Sequence, residues 1–249
     1  MVMKSVNNLN NCFYESLDTN FEKAYSMSEQ NYSHHEIVDM LKNGNITQKQ
    51  IAALRLDCVY DENEANIILS NLTGCDGKIR EAVAYTINKI LIDHPDVKTF
   101  FYKSAAEIFA ASTIDINANI CRYTVDNAVL LMDCDDFSNK YISQIIKYIE
   151  ESLSQIDKFI FKDKKYVINK QIFKLYWCLE SLIYFYKFVD SDVLKTILER
   201  VITQKEYTVR EKAAEIALKS NCYPEIIKLL ENDENYYVRA VFKRQTDQD

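Results

Sequence analysis

Apolar residues recur at helical spacing along most of the chain. Between residues 33 and 243 they are separated by three, four or seven positions, which places an apolar stripe on each predicted helix. Asn, Gly, Asp and Ser lie between these segments, where they favour turns and helix starts. The pattern predicts helices over the ranges 33–41, 47–59, 61–72, 76–91, 120–132, 139–156, 166–189, 191–203, 207–219, 224–231 and 236–243. A further helix is expected to open at Pro95, because proline suits the first helical turn.

Two details of this pattern can be checked against the structure. Thr47 is expected to cap the second helix, with Ile51, Leu54, Cys58 and Val59 along its stripe. The first 32 residues are rich in Asn and Ser and only weakly periodic. Residues 1–32 are therefore predicted to be a flexible or atypical capping segment, and 33–249 a helical repeat domain.

Composition supports an all-α fold. Only three glycines and two prolines occur in 249 residues, whereas a sheet protein needs both at its turns and bulges. Hydrophobic residues make up 48% of the chain, which is enough for a substantial core. Long helices joined by short polar turns account for both observations.

A short sequence motif recurs at the start of predicted helices and indicates an internal repeat. Its three copies are Asp76-Gly-Lys-Ile-Arg-Glu-Ala-Val, Glu206-Tyr-Thr-Val-Arg-Glu-Lys-Ala and Asn235-Tyr-Tyr-Val-Arg-Ala-Val. Each places an arginine after a β-branched residue, at Arg80, Arg210 and Arg239. When Ile120 is aligned with Ile79, Cys121 occupies the arginine position. Arg80 and Arg210 are about three periods of roughly 43 residues apart, which is the repeat length of HEAT and armadillo units.

The third copy of this motif belongs to a segment that resembles a HEAT repeat. Residues 224–241 read as an apolar helix, an Asp-containing turn at Asp233, and Val-Arg opening the next helix. The resemblance is clear over 191–243 and weaker over 46–92. It implies a right-handed α-solenoid of stacked antiparallel helical hairpins. It also implies that Arg80, Arg210 and Arg239 form hydrogen bonds with a carboxylate or carbonyl of a neighbouring turn at the repeat junctions. The alternative is that these arginines bind an anion in a groove.

An aromatic segment between residues 173 and 188 supplies the candidate partner-binding residues. It holds the only Trp and presents two apolar faces. One face carries Phe173, Trp177, Glu180, Tyr184 and Phe188. These residues are hypothesised to bind a partner, since Trp and Tyr often dominate interfaces. The competing interpretation is that a helix inside a solenoid packs against neighbours on both sides.

The charge and the cysteine pattern limit which partners and which cellular compartment are expected. The net charge of −7 argues against a nucleic-acid partner, because phosphate binding depends on Lys and Arg, and it favours a basic or amphipathic protein segment. The seven cysteines form no Cys-x-x-Cys pair, and no signal peptide or membrane-spanning segment is apparent. A cytoplasmic protein without membrane contact is expected.

The sequence contains no recognisable catalytic, cofactor-binding or metal-ligating motif. The leading hypothesis is a non-enzymatic HEAT-repeat scaffold that binds a protein or peptide on its solenoid surface. One alternative is a HEAT-like alkylpurine DNA glycosylase, in which Trp177, Tyr184 and Glu180 would act at the lesion. Another is a chaperone similar to the HEAT-like bilin lyases.

Overall fold

The computed structural model describes residues 25–74, 76–158, 165–221 and 223–246. Over these ranges the chain is all-α, with no strand. A short helical stretch covers 25–29, and the rest of the predicted flexible segment, 1–24, lies outside the described residues. None of the helices in the described ranges has the length and apolar character needed to cross a lipid bilayer.

The α-helices are numbered here in chain order, with two short 3₁₀ helices between them. They are α1 (His34–Asn43), α2 (Ile46–Arg55), α3 (Glu62–Ser70), α4 (Gly77–Asp93), α5 (Ala105–Thr113), α6 (Ala118–Leu130), α7 (Asp135–Lys158), α8 (Lys165–Phe185), α9 (Ser191–Val201), α10 (Tyr207–Ser220), α11 (Pro224–Glu231) and α12 (Tyr236–Thr246). The 3₁₀ helices are Pro95–Phe100 and Tyr186–Phe188.

The start of α2 corrects one prediction. Asn45, not Thr47, caps this helix, because the Asn45 side chain accepts from the Gln48 backbone while the Gln48 side chain bonds back to Asn45. The helix ends at Arg55, so Cys58 and Val59 follow it instead of extending its stripe. Leu54 faces solvent, since Ala52 and Ala53 occupy the buried side.

Two predicted helices are also shorter than expected. The helix predicted to open at Pro95 is a single 3₁₀ helix, with Pro95 in its first turn, and a separate helix α5 follows it. The helix predicted over 166–189 ends as an α-helix at Phe185 and continues as the 3₁₀ helix Tyr186–Phe188. Tight 3₁₀ turns at the ends of α-helices are common.

The helices contact one another in a regular order. Each of α2, α4, α6, α8 and α10 contacts the next even-numbered helix, and we call α2, α4, α6, α8, α10 and α12 the even row. Likewise α1 contacts α3, α3 contacts α5, α5 contacts α7 and α7 contacts α9; with α11, these form the odd row. Odd and even partners such as α1 and α2, α5 and α6, or α7 and α8 pack together as hairpins.

One hydrophobic core runs through all the hairpins. It extends from Ile37 in α1 to Val238 and Val241 in α12. At its centre the buried Tyr141 hydroxyl joins the rows: it lies 3.0 Å from the Thr113 hydroxyl and 2.8 Å from that of Ser181. The bonds satisfy a polar group that would otherwise be costly to bury.

Candidate interaction face

Helix α8 lies in the middle of the even row and carries the predicted partner-binding residues. It contacts α6 and α10 in its own row and α7 in the odd row, so neighbours cover much of its circumference. One side of the helix enters the main core through Leu175, Cys178, Leu179, Leu182, Ile183 and Phe185. Contacts on several sides explain why both of its faces are apolar in the sequence.

Phe173 and Trp177 lie on the opposite side of α8, in a second and smaller apolar cluster. They pack there with Cys121 and Val125 of α6. The two rings meet edge to face, with 6.4 Å between their centroids, a favourable arrangement for aromatic pairs. Trp177 is buried, and within the described residues its indole Nε1 has no hydrogen-bond partner. Most of the Trp177 surface therefore stabilises the α6–α8 contact.

Glu180 continues this side of α8 and binds α10. Its carboxylate lies 2.7 Å from the Lys212 ammonium, which is also 3.2 Å from Glu215. Burial alone lowers the pKa of Lys212, but the two carboxylates outweigh it and raise that pKa above its ordinary value. Lys212 also lies 5.3 Å from the centre of the Tyr176 ring. Glu180 is thus part of an ion-pair cluster between the two helices.

Tyr184 is the predicted residue that remains accessible, with 37% of its surface exposed. The Lys219 ammonium of α10 lies 4.7 Å from its ring centre, a cation–π contact. Partial burial, followed by the negative charges of Glu180 and Asp126, raises the pKa of the Tyr184 hydroxyl. Phe188 is not with these residues: it lies in the 3₁₀ helix and packs on Phe185 and the main core.

Sequence reasoning missed a second accessible region, where α2, α4 and α6 meet. Tyr85 and Tyr123 meet edge to face, with 5.6 Å between ring centroids. A groove of about 300 Å³ lies beside them, and we call it the α4 groove; its lining is Leu54, Lys78, Glu81, Ala82, Tyr85 and Tyr123. Helical spacing could have revealed this region, because Tyr85 and Tyr123 lie outside the buried apolar stripes of their helices.

Tyrosines also gather at the end of the even row. The Tyr207 and Tyr237 rings stack, with 5.7 Å between centroids, and Tyr236 lies edge-on to Tyr237. Ring pairs link α4 to α6 and α10 to α12, an apolar cluster links α6 to α8, a cation–π contact links α8 to α10, and α2 shares a groove with α4. We call the even-row residues of these contacts the aromatic face; they are Leu54, Tyr85, Tyr123, Phe173, Trp177, Tyr184, Tyr207, Tyr236 and Tyr237.

The repeated arginines are held at the starts of even helices. The Arg210 guanidinium donates to both Asp233 oxygens, at 2.7 and 2.9 Å, and to the Gln204 carbonyl at 2.7 Å. Arg80 makes the same set of bonds, donating to both Asp115 oxygens, at 2.8 and 3.3 Å, and to the Gly74 carbonyl at 3.0 Å. Two parallel bonds between a guanidinium and a carboxylate form a rigid link.

Arg239 and Cys121 occupy the same place in their helices. Arg239 donates to the carbonyls of Asp233 and Glu234. The Cys121 thiol lies 3.2 Å from the Asp115 carbonyl. In all four copies the acceptor carbonyl lies six residues before the donor, so the alignment of Cys121 with the arginines corresponds to a shared local geometry.

The charged residues are divided unequally between the rows. Within the helix bounds, the even row contains 15 Lys or Arg and 6 Asp or Glu, whereas the odd row contains 7 Lys or Arg and 14 Asp or Glu. The negative surplus of the chain therefore lies in the odd row and the turns. The aromatic face belongs to the row with the positive surplus.

Acidic and histidine side chains do not gather into a metal site in the part of the chain that the structure describes. His34 is paired with Glu64, 3.0 Å away, and Asp133 accepts a hydrogen bond from the Tyr102 hydroxyl. These contacts tie neighbouring turns and helices together.

Comparisons with known proteins add no assignment to this geometry. The chain matches no protein-family model, no curated protein and no solved structure.

Proposed function

We propose that this chain is a HEAT-like, right-handed α-solenoid that acts as a non-enzymatic scaffold and binds a protein segment on its aromatic face. The alternating contacts of the two rows and the shared arginine position support the repeat architecture. Stacked hairpins present long surfaces over which a partner's contacts are distributed.

The observation that carries the binding proposal is the exposure of aromatic and aliphatic side chains along one row. Leu54, Tyr85, Tyr184 and Tyr237 are all exposed there. Tyrosine supplies a large contact area at little cost in conformational entropy and is enriched at interfaces. A cytoplasmic location accords with this role and is part of the proposal.

A tagged pull-down from native host extract, with and without nuclease, tests the proposal. Tyr184→Ala removes an accessible ring from the even row, and Val193→Ala is its matched control in the odd row, since the two side chains are 37% and 38% exposed. We expect a stoichiometric protein that survives nuclease, that is lost with Tyr184→Ala and that is retained with Val193→Ala. Equal capture by both variants would contradict binding on the aromatic face.

The DNA glycosylase is the second candidate, and the positive surplus of the even row is the observation that favours it. Four of these fifteen cations are held firmly within the chain: Arg80 and Arg210 by carboxylates, Arg239 by carbonyls and Lys212 by Glu180. Phosphate binding requires cations that can displace counterions, so these four contribute little to it and the exposed lysines of the row would have to supply the rest. A mobility-shift assay with damaged and undamaged duplex at low salt tests this candidate, and the absence of any shift removes it.

A further inference from the structure

The α4 groove combines an apolar floor with unpaired positive charge. Leu54 of α2, Ala82 and Tyr85 of α4 and Tyr123 of α6 form the floor. Leu54 is 63% exposed and Tyr85 46% exposed, so an apolar surface is offered to solvent where three helices meet. A volume of about 300 Å³ is at the lower limit for small-molecule pockets and suits one or two inserted side chains.

The charges around this floor follow one side of α4. Lys78, Tyr85 and Lys89 are separated by seven and four residues, a spacing that places them on one helical face. Both lysine side chains are exposed, and neither forms a close ion pair among the described residues, although Lys78 lies near enough to the Asp76 carboxylate to help lower its pKa. With a rise of about 1.5 Å per residue, the two lysines lie roughly 16 Å apart along the helix axis.

Glu81, the acidic residue in the groove lining, already accepts hydrogen bonds from other side chains. Its two carboxylate oxygens accept hydrogen bonds from the Asn117 and Asn119 side-chain amides, at 2.9 and 2.7 Å. These bonds direct the carboxylate toward the start of α6. Glu81 keeps its negative charge, but it is oriented away by these bonds, and the two lysines outnumber it along this side of α4.

We infer that the α4 groove binds an amphipathic peptide segment in which acidic residues flank an apolar anchor. The anchor sits among Leu54, Tyr85 and Tyr123, and the acidic residues pair with Lys78 and Lys89. An anchor buried in such a pocket supplies most of the affinity, while the charges set orientation and association rate. The inference rests on the proposed scaffold function, and it names an acidic partner segment for this face, whereas the net charge of the chain alone favours a basic one.

A peptide is favoured over nucleic acid for two reasons. The floor of the groove is aliphatic as well as aromatic, and Leu54 offers nothing for a base to stack on. The two free lysines are also separated by about 16 Å, so they do not form the dense cationic track that a phosphate backbone requires.

The test selects ligands without assuming their sequence. A phage-displayed library of random 16-residue peptides is panned on the full chain, and enriched peptides are synthesised for fluorescence-polarisation titration. We expect peptides with a Leu, Phe or Trp anchor between Asp or Glu residues. Enrichment of basic peptides, or of none, would overturn the inference.

Matched variants locate the binding. Leu54→Ala is compared with Leu229→Ala, an odd-row leucine that is 61% exposed, and Lys78→Glu with Lys147→Glu, an exposed odd-row lysine. We expect each groove variant to weaken binding at least tenfold and each control to change it less than twofold. Replacing by lysine only the acidic peptide residue that pairs with Lys78 should restore binding to Lys78→Glu. Equal effects in groove and control variants contradict the inference.

Three further outcomes separate this inference from the scaffold proposal. Peptides whose binding depends on Tyr184 but not on Leu54 would retain the aromatic face and reject the groove. Complete competition by a single-stranded 20-nucleotide DNA would reject the peptide partner. Peptides that bind only odd-row residues would reject both proposals.

Discussion

Arg210 of the even row and Arg200 of the odd row show how differently the two rows use a positive charge. Arg210 and its partner Asp233 have side chains only 6% and 10% exposed, whereas Arg200 and its partner Asp157 are 39% and 55% exposed. The even-row pair joins the start of α10 to the turn before α12. The odd-row pair lies on the solvent-exposed sides of α7 and α9 and does not contribute to the core.

This difference changes how the charge of the chain is interpreted. The acidic surplus lies in the odd row and the turns, while Tyr85, Tyr184, Tyr236 and Tyr237 are exposed in the even row, where several cations are bound internally. Net charge describes the behaviour of the whole molecule in solution. The chemistry of a partner follows from the face that it contacts, and the two faces of this chain differ in sign.

The largest loss of stability is expected when the ion pair between Arg210 and Asp233 is removed. Arg210→Met leaves the largely buried Asp233 carboxylate without its guanidinium, so we expect the free energy of unfolding to fall by about 3 kcal/mol. Arg200→Met, the matched odd-row change, should alter it by less than about 0.5 kcal/mol, because exposed ion pairs contribute little. Urea denaturation followed by circular dichroism measures both. Similar losses in the two variants would show that the rows do not differ.

A smaller effect is expected at the equivalent even-row position. Arg80 and Asp115 make the same bidentate contact, but their side chains are 13% and 12% exposed, so water compensates more of the loss. We expect Arg80→Met to lower the free energy of unfolding by about 2 kcal/mol. The comparison with Arg210→Met in the same denaturation assay tests whether burial sets the order, and the reverse order would refute that explanation.

Acid should weaken the even-row pair selectively. The hydrogen bonds from Arg210 hold the pKa of Asp233 below its ordinary value of 3.8, against the opposing effect of burial. Because the carboxyl has a lower pKa in the folded state, its ionisation stabilises the fold fully at pH values above the ordinary pKa. This stabilisation is lost as the pH falls through the folded-state pKa. We expect Asp233→Asn to be less stable than the natural chain at pH 7, with the gap narrowing below about pH 4. A gap that stays constant between pH 7 and pH 2 would contradict the assignment.

The smallest effect concerns stability at the exposed leucines. Leu54→Ala and Leu229→Ala should each change the free energy of unfolding by less than about 0.5 kcal/mol, because both side chains face solvent. Thermal melts of the two variants check this. A loss above about 1 kcal/mol for Leu54→Ala would mean that the α4 groove is a packing surface and not a binding surface.

Most helices of this fold are predictable from the sequence because apolar spacing and capping residues act locally. Ser33 and Asp76 cap the helices that they were predicted to open. The cap of α2 was placed wrongly because Asn45 and Thr47 are both good N-cap residues, and only the reciprocal bonds with Gln48 decide between them.

The aromatic face was only partly predictable. Phe173, Trp177, Glu180 and Tyr184 share one side of α8 because helical spacing sets it, whereas Phe188 leaves that side where the α-helix becomes a 3₁₀ helix. The pairing of Tyr85 with Tyr123 depends on how α4 packs against α6. Contacts between residues that are distant in sequence cannot be read from local periodicity.

Hydrogen–deuterium exchange of the full chain, with and without an enriched peptide, tests the central claim most directly. The account predicts that the peptide slows exchange in α2, α4 and α6, whose side chains line the α4 groove, and leaves α7 and α9 of the odd row unchanged. Slower exchange in α7 and α9, with α4 and α6 unchanged, would contradict the claim that the even row is the binding face.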